Sequence, residues 1–176
     1  MFSTPGVGRV YYSTSLQITV WADASFVNLT EGRSMGGYFL SVGTNNAPFH
    51  SVMKFLSVPT NPMDSEYMNT TSACKLAMHY RYFSAFCGWS QSVVPMLLDS
   101  QTAINLAVAP QVSKKSLHLD VKYHYIRLCV AEGSIKPIHV PSDEQRANIL
   151  TKFLSKPKYL VACSNLLNTA AVHAVT

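Results

Sequence analysis

Hydrophobic and polar positions divide the chain into short apolar runs and one long stretch of helical periodicity. The first run, LQITVWAD (16–23), is rich in β-branched and aromatic residues and stops at Asp23. A polar, glycine-containing stretch follows, and MGGYFLSVG (35–43) predicts a second strand. Asn45-Asn46 ahead of APFHSVMKF (47–55) predicts a hairpin into a third strand, so the chain opens as an antiparallel meander. The stretch from Asn61 to Cys87 has a different period. Tyr67, Thr71, Cys74 and Met78 recur at three-to-four spacing, which predicts a helix, with Pro62 and Asp64 suited to its first turn and Gly88 to its end. VVPMLLDS (93–100) is a short apolar strand that again stops at an aspartate, Asp99. SQTAINLAV (100–108) predicts a short helix, and LHLDVKYHYIRLCVAEG (117–133) an amphipathic helix closed by Gly133. SIKPIHV (134–140) predicts a fifth strand and DEQRANILTKFL (143–154) a last helix. Strands that alternate with helices after a meander predict an α/β domain: a mixed five-stranded sheet, its first three strands antiparallel, flanked by helices. Residues 1–15 carry Gly, Pro, Ser and Thr and are expected to be an incoming linker, residues 16–155 the domain, and 156–176 a tail without an assignable role.

Composition narrows the class. With 176 residues, 48% of them hydrophobic, the chain suits one domain with a real core. Charged residues are 13%, about half the usual share. A net charge of +5 and a pI near 9.1 suit an anionic partner without requiring one. Cys74, Cys87, Cys129 and Cys163 show no CxxC pair and no metal spacing with histidine, and each lies among apolar neighbours. Buried free thiols in a reducing, intracellular compartment are expected, and the sequons at Asn28 and Asn69 are then chance matches. No apolar run reaches a membrane span, and the N-terminal residues lack the apolar core of a secretory signal.

The acids carry the candidate chemistry. If the strands ending in Asp23 and Asp99 are neighbours, both side chains project at one sheet edge, where ligand sites of open α/β sheets form. Glu66, in the first turn of the long helix, reaches the same edge if that helix packs across the sheet. Carboxylates packed so closely stay ionised together only around a cation. Hard oxygen ligands without histidine or thiolate point to Mg²⁺ or Mn²⁺ rather than zinc. Taken separately, a strand-end aspartate is a common turn or cap residue, and a first-turn glutamate a common dipole complement.

The stretches WADASF, EGRSMGGYFLSVG, SEYMNTTSACKLA, LLDSQTAINLA, KSLHLDVKYHYIR and VPSDEQRANILTK, in that order from about residue 17 to 154, resemble the RNase H domain of copia-type retrotransposon Pol polyproteins. The opening STPGVGRVYY is similar to that family's segment between reverse transcriptase and RNase H. The resemblance implies an RNase H-like mixed five-stranded sheet. It implies endonucleolytic hydrolysis of the RNA strand of RNA–DNA hybrids by a two-metal mechanism, during reverse transcription. It also implies reverse transcriptase and integrase as parts of the same polyprotein, in a virus-like particle in the cytoplasm or in the nucleus. Asp23, Glu66 and Asp99 match the family's first three catalytic acids and are the implied metal ligands. The fourth acid, the Asp of ADILTK, is Asn148 here. A neutral amide oxygen is a weaker ligand than a carboxylate, so of two implied ions one is expected to be held weakly.

Glu144, one helical turn before Asn148, or Asp143 could replace the missing charge, or both could simply stabilise a helix start. Asp64 fits a cap. Ser100 and Gln101, beside Asp99, and Lys114 and Lys115 in a polar loop are candidates for contact with the nucleic acid. His139 is a minor candidate near the leaving group, and Arg33 reads as structural. The chain departs from the family at TNPMDS (60–65), where a Ser-Ser-Thr-Glu-Ala run is usual, and at KSLH (115–118), usually Arg-Thr-Lys-His. A catalytically impaired module that binds nucleic acid or protein is therefore the alternative. A DDE-type integrase core ranks lower, because it would lack the DSQ and KSLHLDVKYHYIR signatures.

Overall fold

The computed structural model describes residues 16–26, 33–43, 47–56, 59–109 and 121–167. Five strands form one sheet: β1 (Ile18–Ser25), β2 (Met35–Val42), β3 (Ala47–Phe55), β4 (Val94–Leu98) and β5 (Ile135–His139), in spatial order β3-β2-β1-β4-β5. The first three pair antiparallel, with Asp23 opposite Gly37, while β1, β4 and β5 run parallel. This is the mixed sheet expected from the order of elements. Parallel neighbours need long crossovers, and helices supply them. Helix α1 (Pro62–Phe86) leads from the meander to β4, and α2 (Gln101–Val108) and α3 (Tyr125–Ala131) lead from β4 to β5.

Strand β1 is central and buried along nearly its whole length, which suits its unbroken apolar character. Its alternation splits the core. Val20 and Ala22 face the larger cluster, formed with Tyr67, Cys74, Ala77 and Met78 of α1 and with Ile104 and Ile126. Trp21 faces the other side and stacks on Phe39, with Ala147, Leu150 and Leu166 against the pair.

Helix α1 begins as the sequence predicts. Asn61 caps it by accepting from the Asp64 backbone N–H at 3.0 Å, Pro62 opens the first turn, and Gly88 follows its end at a φ of 87°. Asp64 is a capping acid as well, since its carboxylate accepts from the Thr60 backbone N–H at 3.0 Å. Asn69 is fully buried and bonded to two strand carbonyls, which leaves it closed to glycosylation as the chance-match reading of its sequon requires. Asn28 lies outside the described residues.

Three expectations are corrected. The predicted last helix over 143–154 is a 3-10 turn over Arg146–Leu150 instead. Its ends are tied to the sheet: Gln145 Nε2 donates to the carbonyls of Ala22 and Leu97 at 3.0 and 3.1 Å, and the Thr151 hydroxyl donates to Asp23. Only about one turn fits between those anchors. Beyond 155, where a tail without assigned role was expected, helix α4 (Lys156–Leu167) forms and lays Leu166 on the Trp21 cluster. Cys74 and Cys129 are buried free thiols, but Cys87 is exposed, because it sits at the helix end where α1 has run past the sheet. The predicted helix over 117–133 is described from Val121 on, as a 3-10 turn (Val121–His124) leading into α3, and it closes at Gly133 with a φ of 71°. Arg33 lies over the Phe55 ring at 5.2 Å, in keeping with a structural role. Among the described residues, no helix is long and apolar enough to cross a membrane.

Candidate metal centre

Three elements deliver one acid each to the same point. Asp23 comes from the C-terminal half of β1, Asp99 directly follows β4, and Glu66 stands in the opening turns of α1. One carboxylate oxygen from each lies within 4.8 Å of the others. The approach of α1 depends on Gly36, while Gly37 on the opposite face of β2 admits the 3-10 turn. A Cβ on Gly36 would overlap the Asn69 Oδ1, and one on Gly37 would stand 2.5 Å from the Leu150 Cβ. With position 36 bare, Asn69 Nδ2 donates to the carbonyls of Asp23 at 2.7 Å and Gly37 at 3.0 Å, pinning β1 and β2 to the helix that carries Glu66.

Electrostatics follow from this crowding. Burial raises the pKa of Glu66, and the neighbouring Asp23 and Asp99 charges raise it further, to about 9. Burial also raises that of Asp23, while the Thr151 hydroxyl and Lys152 oppose the rise. Burial and the mutual repulsion of the charges thus oppose ionisation of Glu66 beside Asp23 in the absence of an added cation. Hard carboxylate oxygens at this spacing fit a divalent cation such as Mg²⁺ or Mn²⁺, whose charge would reverse the rise.

One cation belongs to the chain itself. Lys152 Nζ stands 3.0 Å from Asp23 Oδ1, 3.9 Å from Asp99 Oδ2 and 2.5 Å from Asn148 Oδ1. Asn148 donates its Nδ2 to the Ser142 carbonyl at 2.6 Å, and the Ser142 hydroxyl donates to Asp99 Oδ2 at 2.9 Å. Asn148 thus joins the centre through Lys152 and Ser142. Asp143 and Glu144 are exposed in the turn beside Ser142 and are not part of the carboxylate group.

The nucleic-acid candidates divide. Ser100 caps α2, accepting from the Ala103 N–H at 3.2 Å, and Gln101 is exposed and donates to Asn105. Both adjoin an open cleft of about 500 Å³ lined by Asn61, Met63, Glu66, Asp99, Ser100 and Thr102. Lys114 and Lys115 lie outside the described residues. His139 is exposed at the end of β5. Sequence reasoning missed Lys152, Thr151, Ser142 and Gln145. A cue for Lys152 was present, since it stands one helical turn after Asn148 in the stretch that carries the last motif.

No family model matches the chain. It is 26% identical over 140 residues to the retrovirus-related Pol polyprotein from transposon TNT 1-94 of Nicotiana tabacum, covering 79% of this chain and 10% of that protein. It is 25% identical over 144 residues to the corresponding polyprotein from transposon RE2 of Arabidopsis thaliana, covering 81% of this chain and 10% of that protein. The chain therefore spans about a tenth of the length of the curated relatives it matches. Among solved structures it is similar to the N-terminal RNase H domain of a Mycobacterium tuberculosis protein. The TM-score is 0.57 at 15% identity, covering 85% of this chain and 98% of that one. It is similar as well to LC11-RNase H1 in complex with an RNA/DNA hybrid, with a TM-score of 0.54 at 16% identity, covering 76% of this chain and 93% of that one. The fold is that of RNase H, and the chain resembles the RNase H domain of a copia-type Pol polyprotein, as its motifs implied.

Proposed function

We propose that this chain is the RNase H domain of a retrotransposon Pol polyprotein, cleaving the RNA strand of RNA–DNA hybrids during reverse transcription. The observation that carries the reading is the meeting of Asp23, Glu66 and Asp99, with one oxygen from each within 4.8 Å. Asp23, Glu66 and Asp99 would hold the divalent metal. When bound, such ions activate the attacking water and neutralise charge on the scissile phosphate.

The chain's own groups prepare that site. Asn69 holds the backbone of Asp23, Thr151 and Lys152 hold its carboxylate, and Ser142 orients Asp99. The cleft between Asn61 and Thr102 opens beside Glu66 and Asp99, so a backbone phosphate entering there meets these two acids and Ser100. The hybrid bound by the LC11 enzyme supports the same substrate class here. Ser100, Gln101, Lys114 and Lys115 are the proposed contacts to it, and reverse transcriptase and integrase are the proposed neighbours in the polyprotein. An intracellular site of action, in a particle or the nucleus, goes with that role.

The second reading, a hybrid-binding module with impaired catalysis, is favoured by one observation: a neutral Asn148 bonded to Lys152 on the flank of the acids. Hydrolysis of labelled RNA in a hybrid, with Mg²⁺ or Mn²⁺, separates the two. Cleavage that Asp23→Asn abolishes supports the nuclease. Hybrid binding without any cleavage supports the module, and cleavage that persists in Asp23→Asn refutes the site.

A further inference from the structure

We infer that the Lys152 ammonium is the resident counter-cation of the carboxylate centre on its Asn148 side, so that one divalent ion, not two, completes the centre. The inference deepens the nuclease reading and rests on it for the identity of the ion. The position of the ammonium is independent of that reading.

Lys152 follows the 3-10 turn, and its backbone N–H bonds the Asn148 carbonyl at 3.0 Å, which fixes the root of the side chain beside the site. Its Nζ reaches oxygens of two of the three clustered acids and the Asn148 amide oxygen, at 3.0, 3.9 and 2.5 Å. Asn148 is the position where the motif resemblance implies a fourth acid. The lysine is already part of the ADILTK motif, and the substitution leaves it facing three acids where the motif has four. The amide offers Oδ1 to the ammonium and Nδ2 to the Ser142 carbonyl, so both of its polar ends are satisfied. An aspartate there could accept from Lys152 but would turn its second oxygen toward the Ser142 carbonyl without a proton to donate.

Charge balance leads to the same stoichiometry. Three ionised carboxylates are neutralised by one ammonium and one divalent ion. A second divalent ion beside the lysine would leave two positive charges in excess, in a site where Asp23 is fully buried. Like charges sharing these oxygens repel, even with the lysine side chain 36% exposed. A second ion therefore requires the lysine to withdraw.

The test is calorimetric titration of Mn²⁺ into the full chain, with thermal unfolding in chelator alongside. The wild type should take one ion. Lys152→Gln should bind Mn²⁺ at least about tenfold more tightly, because a competing charge is gone, and should admit a second ion. The same variant should melt at a lower temperature in chelator and recover in saturating Mn²⁺, while Lys152→Arg should keep the wild-type stoichiometry. A residue with a merely structural role would lower the melting temperature without tightening the metal. Two ions of similar affinity in the wild type overturn the inference. So does unchanged or weaker affinity in Lys152→Gln, or failure of that variant to fold even in saturating Mn²⁺. Lysine-dependent metal binding in a chain that cleaves no hybrid would sink the nuclease reading and leave this one standing. Cleavage with two equivalent ions would do the reverse. A wild-type chain that takes no Mn²⁺ overturns both.

Discussion

Glu66 should make the metal-free protein less stable as pH rises, and a divalent metal should remove that dependence. In the folded, metal-free chain its pKa is raised from 4.5 to about 9, first by burial and then by Asp23 and Asp99. An acid with a raised folded pKa binds its proton more tightly folded than unfolded. Its contribution is fully present below the unfolded value and is lost as pH rises through the folded one. Between the two values the loss is about 1.4 kcal/mol per pH unit for one proton. From pH 5.5 to 8 that comes to about 3.5 kcal/mol, or a fall of roughly 7–14 °C in melting temperature for a domain of this size. Water entering the site when Glu66 ionises makes these upper figures. The assay is thermal or urea unfolding across that range in chelator and in saturating Mg²⁺. Glu66→Gln is the control that isolates the carboxyl group. In chelator the wild type should lose stability relative to Glu66→Gln as pH rises, and in Mg²⁺ the difference should vanish or invert. Parallel pH profiles for the two proteins in chelator would refute the reasoning, since Glu66 would then carry no unusual proton affinity.

Other outcomes test the supports of the centre. Asn69→Ala strips two buried carbonyls of their donor and should cost about 2–4 kcal/mol in urea unfolding, with weaker Mn²⁺ binding because the Asp23 backbone is released; a loss below about 0.5 kcal/mol would show that water or a neighbouring group replaces it. Gly37→Ala places a Cβ against Leu150 and should cost about 1–3 kcal/mol, read as a lower melting temperature, unless the 3-10 turn shifts freely. Mg²⁺-dependent hybrid cleavage should rise most in the double variant Asn148→Asp/Lys152→Gln, which restores the acid and removes the competing ammonium; equal rates in the double variant and the wild type would mean that position 148 does not reach the reaction. Hybrid affinity should fall steeply with salt, because phosphate contacts release counterions, and a flat response would argue against nucleic-acid contact.

Much of the fold could be read along the chain because its signals are local. LQITVWAD, MGGYFLSVG and VVPMLLDS have the composition and length of buried strands. The Tyr67-Thr71-Cys74-Met78 spacing, with Pro62 and Asp64 at its start and Gly88 after it, marks a helix with both of its ends. The pattern over 143–154 predicts a helix that does not form, because the turn at Arg146–Leu150 is held by bonds from Gln145 and Thr151 to Ala22, Leu97 and Asp23, residues distant in sequence, and periodicity carries no trace of such partners. Helix α4 went unassigned for a related reason, since the face it covers, Trp21 and Phe39, exists only once the meander has paired.

The acids followed the same division. Strand-end positions and motif order were enough to single out Asp23, Glu66 and Asp99, and to notice that Asn148 lacks a charge. Whether three acids share a site depends on strand order and helix packing, and an acid's proton affinity depends on what surrounds it. Only the tertiary structure brought their oxygens within 4.8 Å, raised the pKa of Glu66 and set Lys152 between Asp23 and Asn148. Residue types and their periods are properties of the chain. Distances, burial and the charge that stands opposite an acid belong to the folded arrangement, because each is a relation between residues that sequence separation does not encode.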